Sequence, residues 1–315
     1  MPMKRIVLAG GSGFLGQALG AHFRRANWEV VILTRAAKTR GDGIQEVRWD
    51  ACAAGDWQEQ LAGAAAVVNL TGRSVNCRYT ASNRKEILES RVNSTRVIGE
   101  TIRQCANPPP VWLNASTATV YRHTLGEPWD EAGAMDSVAE ARDAFSVEVA
   151  KAWEQALDEA KTPRTRKIAM RMAMVLGLGK NSVFPVLRRL ARLGLGGRMG
   201  DGGQYVSWMH EADYCRAVEW LMEDDEFSGP VNMVAPEPVT NREMMRLLRR
   251  ACGAPFGLPA TNWMLEIGAF LLRTETELLI KSRRVIPGRL LKSGYKFQFP
   301  ALALAFDDLV HGKRR

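Results

Sequence analysis

The sequence of 315 residues is poor in the residues that build disulfide frameworks and metal centres. It contains five cysteines and four histidines, and the cysteines lie far apart with no Cys-x-x-Cys pair. An odd number of scattered thiols argues against a disulfide-stabilised scaffold, and the sequence predicts no metal site. Free thiols are typical of a reducing compartment, so we expect a cytoplasmic protein.

Long apolar runs are also missing. No run of about 18 consecutive apolar residues occurs, so the sequence predicts no membrane-spanning helix and no membrane partner. Hydrophobic residues make up 46% of the chain and charged residues 24%. These values are typical of a globular protein and exclude a disordered or low-complexity chain.

The formal net charge is +9, and much of the basic excess lies at the end of the chain. Residues 281–315 hold nine basic and two acidic residues. One interpretation is an anionic partner such as nucleic acid, and the other is a solvated basic tail. No nucleic-acid-binding motif accompanies the charge, so the tail is favoured and no nucleic-acid partner is expected.

A glycine-rich segment follows the first predicted strand. Arg5–Ala9 is a short apolar run that is typical of a buried parallel strand. Apolar residues then recur at helical spacing over 15–25, and residues 28–33 predict a second strand. The glycine-rich segment, residues 10–16, therefore connects a strand to a helix inside a βαβ unit, which is the context of a dinucleotide-binding loop.

Three glycines of this loop have a physical role in such a site. Gly10 permits the tight turn, Gly13 lets the backbone approach a pyrophosphate, and Gly16 lets the helix pack closely on the sheet. The N-terminus of the helix then offers unpaired N–H groups and a positive dipole end to the phosphates.

The end of the second strand predicts which cofactor binds. A site selective for NAD usually has a carboxylate there, which accepts a hydrogen bond from the ribose hydroxyl. Here the strand ends in Thr34 and Arg35, and Lys38 and Arg40 follow. A guanidinium pairs with a ribose phosphate, whereas a carboxylate repels it, so the sequence favours NADP(H).

Strands and helices alternate over the first half of the chain, which predicts an α/β fold with a doubly wound, Rossmann-like parallel sheet and a smaller C-terminal α/β substrate domain. We expect the dinucleotide-binding domain at 1–180, with a strand contribution from about 205–235. A substrate or lid region is expected at 181–315, with helical stretches at 241–252 and 261–280.

Several sequence blocks together resemble the extended short-chain dehydrogenase/reductase superfamily. Within it, the chain resembles the atypical, sugar-nucleotide-epimerase-like group called epimerase family proteins, which have a small C-terminal domain. The resemblance covers nearly the whole chain. The blocks are residues 10–16, Val68–Gly72, Ser90–Arg91, Arg171–Leu176, residues 194–197, residues 200–210, Arg283–Pro287 and Gly294–Tyr295.

The resemblance implies that NADP(H) is the cofactor and that a defined set of residues binds it. From the residues alone, Arg91 is placed either to reach the cofactor phosphates or to pair with Glu86 or Glu89 at the surface, and both interpretations stay open. The implied set is Gly10, Ser12, Gly13, Phe14, Leu15, Gly16, Thr34, Arg35, Leu70, Thr71, Glu86, Arg91, Arg171 and Val175.

The catalytic pair of the superfamily is missing. Its enzymes carry Tyr-x-x-x-Lys on the helix after the fifth strand, and the lysine lowers the pKa of the tyrosine that exchanges the substrate proton. In this chain Val147 precedes Lys151 by four residues, and in the alternative register Ser146 and Ala150 take the two positions. The remaining catalytic candidates are Ser116 and Tyr121, although Tyr121 also fits a structural aromatic role.

Two hypotheses of different class follow. The first is an NADP(H)-dependent oxidoreductase or epimerase-type enzyme that acts on a small-molecule substrate, such as an anionic or nucleotide-linked one. The alternative is a non-catalytic NADP(H)-binding regulator or scaffold, which the missing pair favours. The sequence predicts neither the substrate nor the oligomeric state.

Overall fold

The computed structural model describes residues 3–138, 143–261 and 281–312. The strands are β1 (Arg5–Ala9), β2 (Glu29–Thr34), β3 (Gln45–Arg48), β4 (Ala66–Asn69), β5 (Val111–Thr117), β6 (Arg166–Met172), β7 (Met174–Leu176), β8 (Tyr205–Val206), β9 (Trp208–His210), β10 (Gly229–Met233) and β11 (Val239–Thr240). The helices are α1 (Phe14–Arg25), α2 (Ala81–Gln104), α3 (Ala144–Asp158), α4 (Phe184–Arg192), α5 (Glu211–Glu223), α6 (Asn241–Cys252), α7 (Gly288–Lys292) and α8 (Leu302–His311).

A seven-stranded sheet forms the centre of the fold, in the order β10-β6-β5-β4-β1-β2-β3. Its neighbouring strands pair in parallel, and Val7 of β1 lies between Val31 of β2 and Val67 of β4. The chain therefore reverses its direction of winding between β1 and β4. This confirms the predicted Rossmann-like fold and puts the ligand-binding crevice at the carboxyl ends of these two strands.

Helices cover both faces of the sheet, which explains why its central strands are almost continuously apolar. On one face, Leu19 and Phe23 of α1 pack with Ile6 and Leu8 of β1, together with side chains of α5. On the other face, side chains of α2 and α3 pack around Val7. The predicted helix at 15–25 is confirmed, because α1 begins at Phe14 and ends at Arg25.

A second apolar core holds the C-terminal part of the chain. It joins α4, α6 and α8, and the rings of Phe184 and Phe306 stack with centroids 5.8 Å apart. The buried carboxylate of Asp213, in the first turn of α5, accepts hydrogen bonds from the backbone of Gln298 (2.7 Å) and Phe299 (2.8 Å). These bonds attach the segment before α8 to α5, which packs on the main sheet.

The expected domain limits stay predictions, although β10 lies within 205–235 and joins the central sheet beside β6. The predicted helix at 241–252 is α6. Of the predicted stretch at 261–280, residues 262–280 lie outside the described residues. Among the residues that the structure describes, no helix has both the length and the apolar character needed to cross a bilayer.

Part of the basic C-terminal segment is internal to the fold. The ammonium of Lys281 pairs with the carboxylate of Asp143, and both side chains are fully buried. The guanidinium of Arg284 donates to the backbone oxygen of Gly126, and that of Arg289 donates to Pro230 (2.7 Å). These side chains are therefore bonded within the fold, while residues 313–315 lie outside the described residues.

We expect Gly16→Ala to lower the free energy of unfolding by about 1–3 kcal/mol. A Cβ on Gly16 would overlap the Cα of Gly11, so α1 would have to move away from the loop. Urea denaturation measures the change. The matched control is Gly41→Ala, because a Cβ there meets no atom within 4 Å. Equal stability of the two variants would contradict the close-packing argument.

Candidate functional site

A cleft of about 560 Å³ opens at the carboxyl ends of the central strands. The glycine loop, the ends of β4 and β5, the start of α3 and residues 172–175 form its walls. A groove of about 720 Å³ continues from the cleft past the end of β2. Gly13, Phe14 and Asn181 line both, so the cleft and the groove form one depression that crosses the start of α1.

The glycine loop gives this depression a floor of exposed backbone. Gly10 has a φ of +70°, and a Cβ there would lie 2.7 Å from the hydroxyl oxygen of Thr71. A Cβ on Gly13 would meet no atom within 4 Å. Gly13 precedes the first turn of α1, which has neither a capping side chain nor an acidic residue. The N–H groups of this turn are therefore available to an anion.

The end of β4 supplies a buried hydroxyl beside the loop. The side-chain oxygen of Asn69 accepts a hydrogen bond from the backbone N–H of Thr71 (3.0 Å), and its amide donates to Asn114 (2.8 Å). These bonds fix the turn. The hydroxyl of Thr71 is buried and has no hydrogen-bond partner among the described residues. It can satisfy its bonding potential by contacting a ligand at the loop.

Arg91 of α2 lines the cleft. Its guanidinium donates to the backbone oxygens of Arg73 (3.1 Å) and Ile87 (2.9 Å) and lies 5.0 Å from the ring centroid of Trp153. No carboxylate among the described residues pairs with it. Burial lowers the pKa of Arg91 to about 10, because desolvation disfavours the charged form. A bound anion would compensate this cost.

Glu86 lies outside the lining of the cleft, in contrast to the direct cofactor contact that the resemblance implies. Its carboxylate instead pairs with the guanidinium of Arg73, which also donates to the side chain of Asn83 (2.7 Å). Arg73 itself lines the cleft. Glu86 therefore orients a cation of the site rather than contributing a wall.

Side chains at the end of β2 line the groove. Ser12, Thr34 and Lys38 are among the residues that form its lining. Arg35 is exposed beside them and forms no ion pair or side-chain hydrogen bond with the residues that the structure describes. Both cations are therefore available to an anionic group in the groove.

Arg40 is already neutralised by its neighbours. Its guanidinium pairs with the carboxylates of Asp42 (2.5 Å) and Glu46 (3.0 Å) and donates to Gln17 (2.9 Å). Hydrogen bonding to Arg40 lowers the pKa of Asp42 to about 2. Of the three cations that follow β2 in the sequence, Arg40 is thus the one least able to bind a further phosphate.

Hydroxyl groups converge at the end of β5. Ser116, Thr117 and Thr119 line the cleft, as does Ser146, the third residue of α3. The hydroxyl of Ser116 donates to the carboxylate of Glu154 (2.5 Å). Ser116 is the catalytic candidate that the structure brings to the cleft.

The structure places Arg171 and Tyr121 behind this wall rather than in the lining of the cleft. Arg171 donates to both carboxylate oxygens of Glu154 (2.8 and 2.7 Å) and to the hydroxyl of Tyr121 (2.8 Å). Tyr121 donates to the side chain of Asn232 (2.8 Å), and burial raises its pKa to about 12. Both side chains are buried among polar partners and lie outside the cleft lining, so they stabilise the wall from behind.

The positions of the missing Tyr-x-x-x-Lys pair lie on α3, whose orientation turns most of them away from the cleft. Ser146 faces it, whereas Ala150 and Val147 are buried and Lys151 is exposed on the outer surface. Among the described residues that line the cleft, the ionisable side chains are Arg73, Tyr79 and Arg91, and carboxylates and imidazoles are absent. No group of His, Cys, Asp and Glu suited to a metal ion occurs in the described ranges.

The structure gathers most, but not all, of the residues expected at the site. Leu70 and Val175 join the glycine loop and Arg91 in the cleft, and Thr71 lies directly under the loop. The residues that line the cleft or the groove are Gly10, Ser12, Gly13, Phe14, Leu15, Gly16, Thr34, Leu70, Arg91, Ser116 and Val175.

Sequence reasoning missed Gly72, Arg73, Trp153 and Asn181 as lining residues. Gly72 ends the Val68–Gly72 block, and Arg73 follows it. Both come shortly after a predicted strand, and that position in the sequence indicates a residue of the site. Asn181 follows two glycines after β7, which marks a turn but not the direction of the turn. Trp153 lies at a helical position that is equally compatible with a core residue.

Comparisons of this chain with known proteins agree on one family. Residues 6–234 match the NAD dependent epimerase/dehydratase family, and residues 260–309 match a domain of unknown function (DUF1731). The human epimerase family protein SDR39U1 is 31% identical over 311 residues, which is 97% of this chain and 99% of that protein. YfhF from Bacillus subtilis (strain 168) is 28% identical over 312 residues, covering 98% and 99%.

A solved structure is similar over the same extent. The crystal structure of human SDR39U1 (isoform 2) with NADPH superposes with a TM-score of 0.85 and 26% sequence identity. The match covers 98% of this chain and 100% of that chain.

Replacing Arg171 with Met should destabilise the protein by about 3–5 kcal/mol, because it leaves the largely buried carboxylate of Glu154 without its ion-pair partner. Chemical denaturation measures this difference. The control is Arg103→Met, which breaks the exposed pair with Glu100 and should change stability little. An Arg171→Met variant as stable as the control would show that Arg171 does not hold this wall.

Proposed function

Because the chain belongs to the NAD dependent epimerase/dehydratase family, we propose that it binds NADP(H) across the cleft and the groove. The observation that supports this proposal most directly is the depression itself, which crosses the uncapped start of α1 and ends beside Arg35 and Lys38. A dinucleotide needs a site for its diphosphate in the middle and a site for its ribose phosphate at one end.

Three features of the residues fit the diphosphate. The space over Gly13 is open where a side chain would otherwise stand, the buried hydroxyl of Thr71 lacks a partner, and Arg91 is a desolvated cation without a carboxylate. Each of them gains from a phosphate oxygen. The human relative crystallised with NADPH supports the same cofactor for this chain.

The end of β2 supports the phosphorylated form of the cofactor. Thr34 and Ser12 offer hydroxyls, and Arg35 and Lys38 offer two cations at the rim of the groove. A dianionic ribose phosphate binds such a set, whereas the plain ribose hydroxyl of NAD(H) gains little from it. Arg40 contributes indirectly by neutralising Glu46, one of the carboxylates that line the groove.

We further propose a redox function on a small anionic substrate. The bound nicotinamide would supply or accept a hydride. The hydroxyls of Ser116, Thr117 and Ser146 would orient the substrate. Arg73, which Glu86 and Asn83 hold at the cleft wall, would bind its anionic group. The lack of carboxylates in the described cleft lining supports an anionic rather than a cationic substrate.

A second candidate function is a non-catalytic NADP(H)-binding regulator or scaffold. It is favoured by the missing Tyr-x-x-x-Lys pair, whose positions are taken by Val147 and Lys151 or, in the alternative register, by Ser146 and Ala150. Turnover distinguishes the two. The enzyme oxidises NADPH or reduces NADP+ with at least one member of a panel of carbonyl compounds, hydroxy acids and sugar nucleotides. Saturable cofactor binding with no turnover across the panel favours the regulator.

We predict that the protein binds NADPH at least about tenfold more tightly than NADH, since one good charge-assisted contact is worth about that factor. The double variant Arg35→Ala/Lys38→Ala should lose most of this preference while it keeps its affinity for NADH. Quenching of tryptophan fluorescence, or energy transfer to the reduced nicotinamide, measures both dissociation constants.

The matched control for these two substitutions is Arg96→Ala, an exposed arginine on α2 that lines neither the cleft nor the groove. It should leave the preference unchanged. Equal affinities of the unmodified protein for NADPH and NADH would contradict the assignment of the groove to a ribose phosphate.

A further inference from the structure

Asn181 stands where the cleft meets the groove. It belongs to the loop of residues 177–183, which connects β7 to α4. Like Gly13 and Phe14, it lines both parts of the depression. The sequence resemblance to the superfamily assigns no role to it, and its loop lies against Phe14 at the start of α1.

The backbone of this loop packs closely against the ring of Phe14 at the start of α1. A Cβ on Gly177 would lie 2.6 Å from the ring of Phe14, and a Cβ on Gly179 would also lie 2.6 Å from that ring. Phe14 is the first residue of α1. The two glycines therefore let the loop backbone lie directly on the residue that begins the phosphate-facing turn.

The conformation of Asn181 is imposed by its neighbours. Its φ is +69°, a left-handed value that asparagine tolerates better than most residues. The next residue, Ser182, is buried, and its hydroxyl accepts hydrogen bonds from the backbone of Gly177 (3.3 Å) and Phe184 (3.4 Å). With the turn fixed in this way, the side chain of Asn181 is exposed and forms no hydrogen bond with the described residues.

We propose that Asn181 is a cofactor-binding residue that contacts the diphosphate of NADP(H) from the side opposite Gly13. This inference rests on the proposed function. The helix start would bind one side of the diphosphate through backbone N–H groups, and the carboxamide of Asn181 would donate to the other side through its NH₂ group. The diphosphate is then enclosed at the narrow junction between the cleft and the groove.

The chemistry of the junction explains why a neutral donor suits this position. Glu211 already places a carboxylate in the lining of the groove, and Lys180 places an ammonium beside it. A carboxylate at position 181 would add a negative charge next to the phosphates. The substitution of Asn181 by Asp keeps the shape of the side chain and its tolerance of the left-handed backbone, so it isolates the charge and the lost donors.

The test measures the dissociation constant of NADPH for Asn181→Asp and Asn181→Gly by energy transfer from tryptophan. We expect Asn181→Asp to weaken NADPH binding by about ten- to a hundredfold, because the new carboxylate would repel the negatively charged diphosphate in a partly desolvated site. Asn181→Gly keeps the backbone conformation and loses the donors, so a smaller loss of about three- to tenfold is expected.

The matched controls are Asn27→Asp and Asn27→Gly. Asn27 is also an exposed asparagine with a left-handed backbone (φ of +61°), but it follows the far end of α1. Its variants should bind NADPH as the unmodified protein does. A thermal unfolding curve for each variant separates lost affinity from lost structure.

A second probe locates the effect on the molecule. Adenosine 2′-monophosphate carries the ribose phosphate but lacks both phosphates of the bridge and the nicotinamide. Its affinity should be nearly the same for Asn181→Asp and the unmodified protein. NADPH affinity within twofold of the unmodified protein, or equal weakening of both probes, would overturn the role of Asn181 while NADP(H) binding itself stands. If the unmodified protein does not bind NADPH, the proposed function fails and the inference fails with it.

Discussion

The close approach of backbone to backbone at the start of α1 is the constraint on which the site depends. Gly16 lies so near Gly11 that no side chain fits between them, and Gly10 turns the chain beside Thr71. These contacts direct the first turn of α1 toward the carboxyl ends of β1 and β4. Because no side chain caps that turn, its N–H groups face the depression rather than another part of the protein.

Around this backbone feature, the protein arranges cations in two different ways. Arg40 and Arg171 are neutralised by carboxylates and serve the fold, whereas Arg91 and Arg35 have no carboxylate partner among the described residues. Of these four arginines, the two without a carboxylate partner gain most from an incoming phosphate. The distinction depends on tertiary partners, so a count of basic residues does not reveal it.

Much of the fold and the floor of the site could be predicted from sequence, because they depend on local patterns. Apolar runs, helical spacing and glycines at fixed offsets specify β1, α1 and the loop between them. The family assignment made from the motif blocks is confirmed by the match over residues 6–234. The separation of Arg91 from Glu86 could not be predicted, because both side chains lie on one helix and only their contacts across the fold differ.

Side-chain positions that depend on partners far away in the sequence could not be predicted from the sequence pattern. Arg171 sits in a strand end that normally faces a ligand, but Glu154, seventeen positions earlier in the chain, draws its guanidinium behind the wall. Tyr121 is held in the same way by Asn232, a residue of β10. Asn181 follows glycines that predict a turn, yet the direction of that turn is set by contact with Phe14.

The central claim is that a dinucleotide with a ribose phosphate lies across the start of α1. A crystal structure of the protein grown with NADPH tests it most directly. The account predicts density for the diphosphate over Gly13 and for the ribose phosphate beside Arg35 and Lys38. Density for the cofactor elsewhere on the molecule, or a ribose phosphate at the opposite end of the depression, would contradict it.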